Sequence, residues 1–204
     1  MSKVCSERPV GVLDACVLIP SGLRDVLLSC AREEAFKPIW QDEILDEIRR
    51  NSIDLLKTRS GLSDGDATAV ATHVLEQMDV AFPDACQPPA SWIPLVPGLA
   101  CDQKDRHVLA VAIGTEATHL VTENARDFPP TSVPPGLAVV QPDRFLLDLL
   151  ETVPNQVVGA MERLSRRLRQ PRKTVFELAE DMAKGRLVPG FGDELGRILT
   201  DGMP

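Results

Sequence analysis

The sequence predicts an α/β fold, a parallel sheet covered by helices, followed by a C-terminal stretch that is helical throughout. Three observations carry that expectation. Short apolar or β-branched runs at Val10–Leu13, His119–Thr122 and Leu137–Val140 alternate with longer segments of 3/4 apolar spacing through residue 150. The first run exits into Asp14, and the second into Thr122, Glu123, Asn124 and Asp127, so oxygen-bearing side chains gather where strands end. Beyond Pro154 the strand signal stops. The expected division is residues 9–150 for the α/β body and 151–204 for a helical extension.

Val10-Gly-Val-Leu13 is an uninterrupted apolar run, as a strand buried on both faces requires. Asp14 follows at its carboxyl end, where open α/β sheets place ligands; a helix cap is the equal alternative. Ser21 is placed to cap a helix over Leu23–Ala35, with Pro38–Trp40 as a brief link after it. The next helix, Asp42–Lys57, carries its stripe on Ile44, Leu45, Ile48, Leu55 and Leu56. Glu43 and Glu47 stand four apart on one face of it. Glu47 borders the stripe, which makes it either a partly buried functional carboxylate or the partner of Arg50. Ser63 opens a helix running to about Met78, and residues 83–100, with five prolines, read as a long loop.

The helix beginning at Asp105 has a broad apolar face of Val108, Leu109, Val111, Ala112 and Ile113, and Gly114 lies near its end. Asp102 and Asp105 at its start suit a helix N-terminus electrostatically. Pro142 starts a helix ending near Glu151. Three more follow at about 157–168, 174–183 and 193–199, the second opened by a capping box of Thr174 and Glu177.

Composition narrows the function classes. The chain is 44% hydrophobic and 25% charged, and no run of about 18 apolar residues marks a membrane span. The N-terminus lacks a basic-then-apolar secretory pattern, which points to the cytoplasm. Five scattered cysteines, none in a C-x-x-C pair, read as reduced thiols. Residues 1–150 hold 13 Lys+Arg against 22 Asp+Glu, while residues 151–204 hold 9 against 8. An acidic body argues against electrostatic wrapping of nucleic acid and fits one that concentrates carboxylates around cations. The basic cluster Arg163, Arg166, Arg167, Arg169, Arg172 and Lys173 is either a solvated helix face or, beside an acidic pocket, a holder of phosphates.

Asp14, Glu47, Asp105 and the Asn124/Asp127 pair form an oxygen donor set without His or Cys, which favours Mg2+ or Mn2+. Clustered like charges need such a cation, and the cation can activate water and polarise a phosphoryl group. A haloacid-dehalogenase-type phosphatase would need an Asp at position 16, which is Cys16. A signalling receiver domain would need adjacent acids ahead of the strand carrying its phosphorylated Asp, and none is seen.

Asp14 after an apolar strand, LDEI around Glu47, DRHVLAVAI from Asp105 and VTENARDFP resemble a PIN-domain ribonuclease, nearest to the VapC-type toxins of type II toxin–antitoxin pairs. The resemblance covers residues 9–148 and is most specific from Asp102 to Pro129. It implies a three-layer fold with about five parallel strands, Mg2+- or Mn2+-dependent cleavage of RNA, and a cognate antitoxin, with a homodimer admitted and no membrane. It matches Asp14, Glu47 and Asp105 to the acidic triad. The family's fourth Asp falls at Asn124 here, with Asp127 three residues on as the substitute ligand and catalytic carboxylate. Thr122 is expected to orient the carboxylates by hydrogen bonding, and Arg106 and His107 to sit on the outer helix face. The C-terminal helices look like the extension of longer toxins of this kind. A PIN-like binding module without catalysis, or a housekeeping RNA-processing nuclease, is the alternative, and Asn124 is the residue that raises it.

Overall fold

The computed structural model describes residues 8–201. Cys5 and the first seven residues of the N-terminal segment read for a leader lie outside the described residues. The strands are β1 (Val10–Leu13), β2 (Lys37–Ile39), β3 (His119–Val121) and β4 (Ala138–Val140). They form one parallel sheet in the order β2-β1-β3-β4. The helices of the body are α1 (Ala15–Leu18), α2 (Ser21–Arg32), α3 (Asp42–Ser60), α4 (Asp64–Ala81) and α5 (Arg106–Gly114). The C-terminal helices are α6 (Pro142–Thr152), α7 (Pro154–Arg167), α8 (Val175–Lys184) and α9 (Pro189–Asp201).

Most boundaries follow local chemistry. Ser63 accepts from the Asp66 N–H at 3.1 Å and starts α4, and the Thr174/Glu177 capping box is complete at α8. Gly61, at φ 65°, ends α3 in the left-handed conformation. Two local expectations give way. Ser21 is the first residue of α2 and makes no cap, because Pro20 occupies the capping position. Residues 37–39 are a strand and not a link.

Pro38 hides that strand in the sequence, since proline cannot donate to a ladder. Lys37 N donates to Pro9 O at 2.7 Å, so the alternating pattern turns position 38 outward, where no ladder bond is required. The outer side of β2 meets one isolated parallel bridge, Trp40 with Cys86. The described sheet thus has four strands, with this bridge beyond its edge where the resemblance implied about five.

Helices cover both faces. Gly11 and His119 are in register and turn the same way, toward Phe145 of α6. Phe36 joins them, its ring packed edge-on to Phe145 at 4.9 Å. Val12 and Leu120 alternate to the opposite face and are fully buried. The loop at 83–100 includes two short 3-10 turns, and it packs Trp92 into the core. A Cβ on Gly114 would lie 2.1 Å from the Ser91 carbonyl oxygen, so this closing residue of α5 must be glycine for the loop to pass. The C-terminal helices are continuous with the body. Val157, Met161, Phe191 and Leu195 share one hydrophobic core with Leu27, Leu120 and Phe145. No described helix is long and apolar enough to cross a membrane.

Candidate active site

The chain leaves β1 for β2 on one side, and β3 lies on the other. The crevice between the carboxyl ends of β1 and β3 is therefore the topological switch point, where open parallel sheets bind ligands. Asp14 follows β1 there, its backbone N–H donating to Val121 O at 3.1 Å, and the residue is 8% exposed. Thr122, fully buried at the end of β3, donates from Oγ1 to Asp14 Oδ2 at 2.7 Å and accepts from the Asn124 N–H at 3.0 Å. Cys16 Sγ reaches the same Oδ2 at 3.1 Å and accepts from the Glu123 N–H at 3.3 Å. Burial and then the Asp14 charge push this thiol up to about 12, so it serves as a neutral donor and not a nucleophile. These bonds fix one carboxylate oxygen. Among the described residues the recorded side-chain donors to Asp14 both reach Oδ2.

Asp105 precedes α5 without making a capping bond. Its side chain is 18% exposed, and Oδ2 is buried with no hydrogen-bond partner. Burial raises its carboxyl above the ordinary range; Lys104 opposes this, and the charges of Asp127, Asp14 and Asp102 add to it. Those influences place Asp105 within electrostatic reach of Asp14 and Asp127. Lys104 Nζ lies 3.3 Å from Asp127 Oδ2 and 3.8 Å from Asp105 Oδ2.

Glu47 stands apart. It is half-buried on α3 and lines a cleft of about 1160 Å³ with Glu43, Asp102, Gln103, Lys104 and His107. Among the described residues it makes no ion pair, Arg50 included. Asn124 is exposed, and it enters the network through its backbone N–H. The fold thus brings Asp14, Asp105, Asp127 and Thr122 together and sets Glu47 across the adjoining cleft. Among the described residues, no three acidic, histidine or cysteine side chains converge as a finished metal cluster. The donor chemistry still suits a hard cation, because a buried carboxylate oxygen without a donor and crowded by like charges is what such an ion satisfies.

Two expectations are corrected. His107 does not sit on the outer helix face: its side chain is 15% exposed, it lines the cleft, and Nδ1 lies 3.8 Å from Glu43 Oε2. Arg106 is half-buried and donates to Cys101 O. The arginine cluster does not border the acidic pocket either. Arg163 pairs with Glu33 and Arg167 donates to Ser29 Oγ, both on the α2 side of the fold, because α7 packs against α2.

Sequence reasoning passed over Glu123, Cys16 and Lys104. Glu123 follows Thr122 directly, and its backbone N–H donates to Cys16 Sγ. Its Oε1 is buried without a partner, and burial followed by the Asp143 charge raises its carboxyl. Asp143 in turn accepts from Gly190 and Phe191 N–H at 3.2 and 2.8 Å, holding the start of α9. Strand alternation past β3 carried a signal for Glu123; Cys16 and Lys104 had none beyond their nearness in sequence to Asp14 and Asp105.

Fold and site together define an open parallel α/β protein with an acidic crevice at its switch point. More than half of the chain, residues 11–126, matches the family described as PIN domain, and residues 142–197 match the family described as VapC50 C-terminal domain. The chain belongs to the PIN-domain family. A curated protein of Mycobacterium tuberculosis (strain ATCC 25618 / H37Rv), named "Putative ribonuclease VapC50", is 32% identical over 102 residues, 50% of this chain. That match spans 59% of the relative's length. No solved structure matches the chain.

Proposed function

We propose that this chain is a divalent-metal-dependent endoribonuclease, the toxin of a bacterial type II toxin–antitoxin pair. The observation that carries the reading is Asp105: a carboxylate with a buried, unpartnered oxygen, facing the charges of Asp14 and Asp127 at the switch-point crevice. Family membership and the relative's name support it. In this reading residues 9–150 form the nuclease unit and 151–204 the helical extension, acting on cytoplasmic RNA with a cognate antitoxin and a homodimer as partners.

Asp14, Asp105 and Asp127 would hold Mg2+ or Mn2+, with Glu47 and Asn124 completing the donor set from the cleft and the β3 end. The bound ion supplies neutralisation of phosphoryl charge and a lowered pKa for the attacking water. Thr122 and Cys16 hold Asp14 in one orientation. In this reading an extended RNA strand would lie in the cleft, which also carries Arg49, Arg50 and Lys104. Hydrolysis adds water across one phosphodiester P–O bond: the water gives up a proton as its oxygen attacks phosphorus, and the departing oxygen gains one.

Asp105→Asn tests the reading, since it keeps the shape and removes the charge. Mn2+ affinity and RNA cleavage should each fall by about 100-fold or more, with circular dichroism unchanged. Undiminished cleavage by the purified variant overturns the assignment. A wild-type chain that binds RNA but does not cut it would favour the binding module that Asn124 suggests.

A further inference from the structure

Among the described residues, Lys104 is the one basic side chain paired with the crevice carboxylates. Its ammonium stands against both Asp105 and Asp127, residues 22 apart in the chain. The short 3-10 turn Gln103–Asp105 fixes the starting point of the side chain, because Asp102 Oδ1 accepts from the Lys104 N–H at 3.3 Å. We propose that Lys104 is a built-in counter-ion: its ammonium sits between Asp105 and Asp127 when no divalent ion is bound, and a divalent ion displaces it. The inference rests on the reading above, that these two carboxylates hold a metal.

Geometry separates a counter-ion from a permanent structural pair. At 3.8 Å the ammonium neutralises Asp105 without donating to it, and Oδ2 keeps its ligand-binding capacity. A lysine is a compact charge on a flexible stem, with three donors and no lone pair, so it can balance carboxylates but cannot ligate beside a metal. The side chain is 64% exposed, and its way out is open. It also lines the 1160 Å³ cleft, so a displaced ammonium stays where a phosphate chain would pass. The fold thereby relieves the repulsion among Asp14, Asp105 and Asp127 in the metal-free protein, at the expense of metal affinity.

Lys104→Met keeps the apolar stem and removes the charge, while Lys104→Arg keeps the charge. Mn2+ titration by calorimetry at low ionic strength reads the effect directly. Lys104→Met should bind Mn2+ about fivefold more tightly than wild type, since a charge near a dication at the surface is partly screened. The same variant should melt lower than wild type in EDTA and gain more from added Mn2+. Lys104→Arg should stay near wild type in both measurements. Equal or weaker Mn2+ binding by Lys104→Met, with wild type binding normally, overturns the counter-ion and leaves the metal site standing. Failure of wild type itself to bind Mn2+ removes the metal reading, and this inference with it.

Discussion

Thr122→Val removes one hydroxyl from a fully buried position and keeps the β-branched shape that β3 needs. That hydroxyl donates to Asp14 Oδ2 at 2.7 Å and accepts from the Asn124 N–H at 3.0 Å. A hydrogen bond to a charged group contributes about 1.5–3 kcal/mol, and the other donor to the same oxygen, the Cys16 thiol, is a weak one. For a domain of this size each kcal/mol moves Tm by roughly 2–4 °C, so the metal-free variant should melt about 3–12 °C below wild type. Asp14 should also lose its fixed orientation, and Mn2+ affinity should fall by about 10–100-fold. Differential scanning fluorimetry in EDTA and calorimetric Mn2+ titration give the two numbers. Thr122→Ser, which keeps the donor, should stay close to wild type. Val and wild-type melts within about 1 °C of each other, with superimposable Mn2+ isotherms, would refute the claim that this bond orders the site.

Two further outcomes are expected. His119 has its pKa lowered from the ordinary 6.5 by burial, with Asp148 opposing, so the folded state resists its protonation more than the unfolded state does. Its contribution is therefore full above pH 6.5 and lost as pH falls toward the depressed folded value; urea melts should show a downward slope in that window, and His119→Gln should flatten it. Gly192→Ala should destabilise by about 1–3 kcal/mol, because a Cβ would meet Ala183 N at 2.2 Å where α8 and α9 cross; an unchanged urea midpoint would contradict that packing.

Much of this molecule was legible locally. The 3/4 spacing in α2, α3 and α4, the Ser63 cap and the Thr174/Glu177 capping box depend on residues within a turn or two of each other, and the chain states them outright. The position of Asp14 after an apolar strand and of Asp105 at a helix start was equally plain, and their family motif is local too. What the sequence could not state is which distant segments would be neighbours. β2 is a strand because β1 lies beside it and because Pro38 faces the outer edge. Asp14 and Thr122, 108 residues apart, meet at 2.7 Å because the sheet sets β3 beside β1. The same folding turns His107 into the cleft, sends Glu123 toward Asp143, and keeps Arg163 and Arg167 with α2 and away from the acidic crevice. Helix and turn preferences are short-range energies carried by the chain itself. Burial, charge pairing and the stranded oxygen of Asp105 are long-range quantities, and they acquire values only when the sheet order is set.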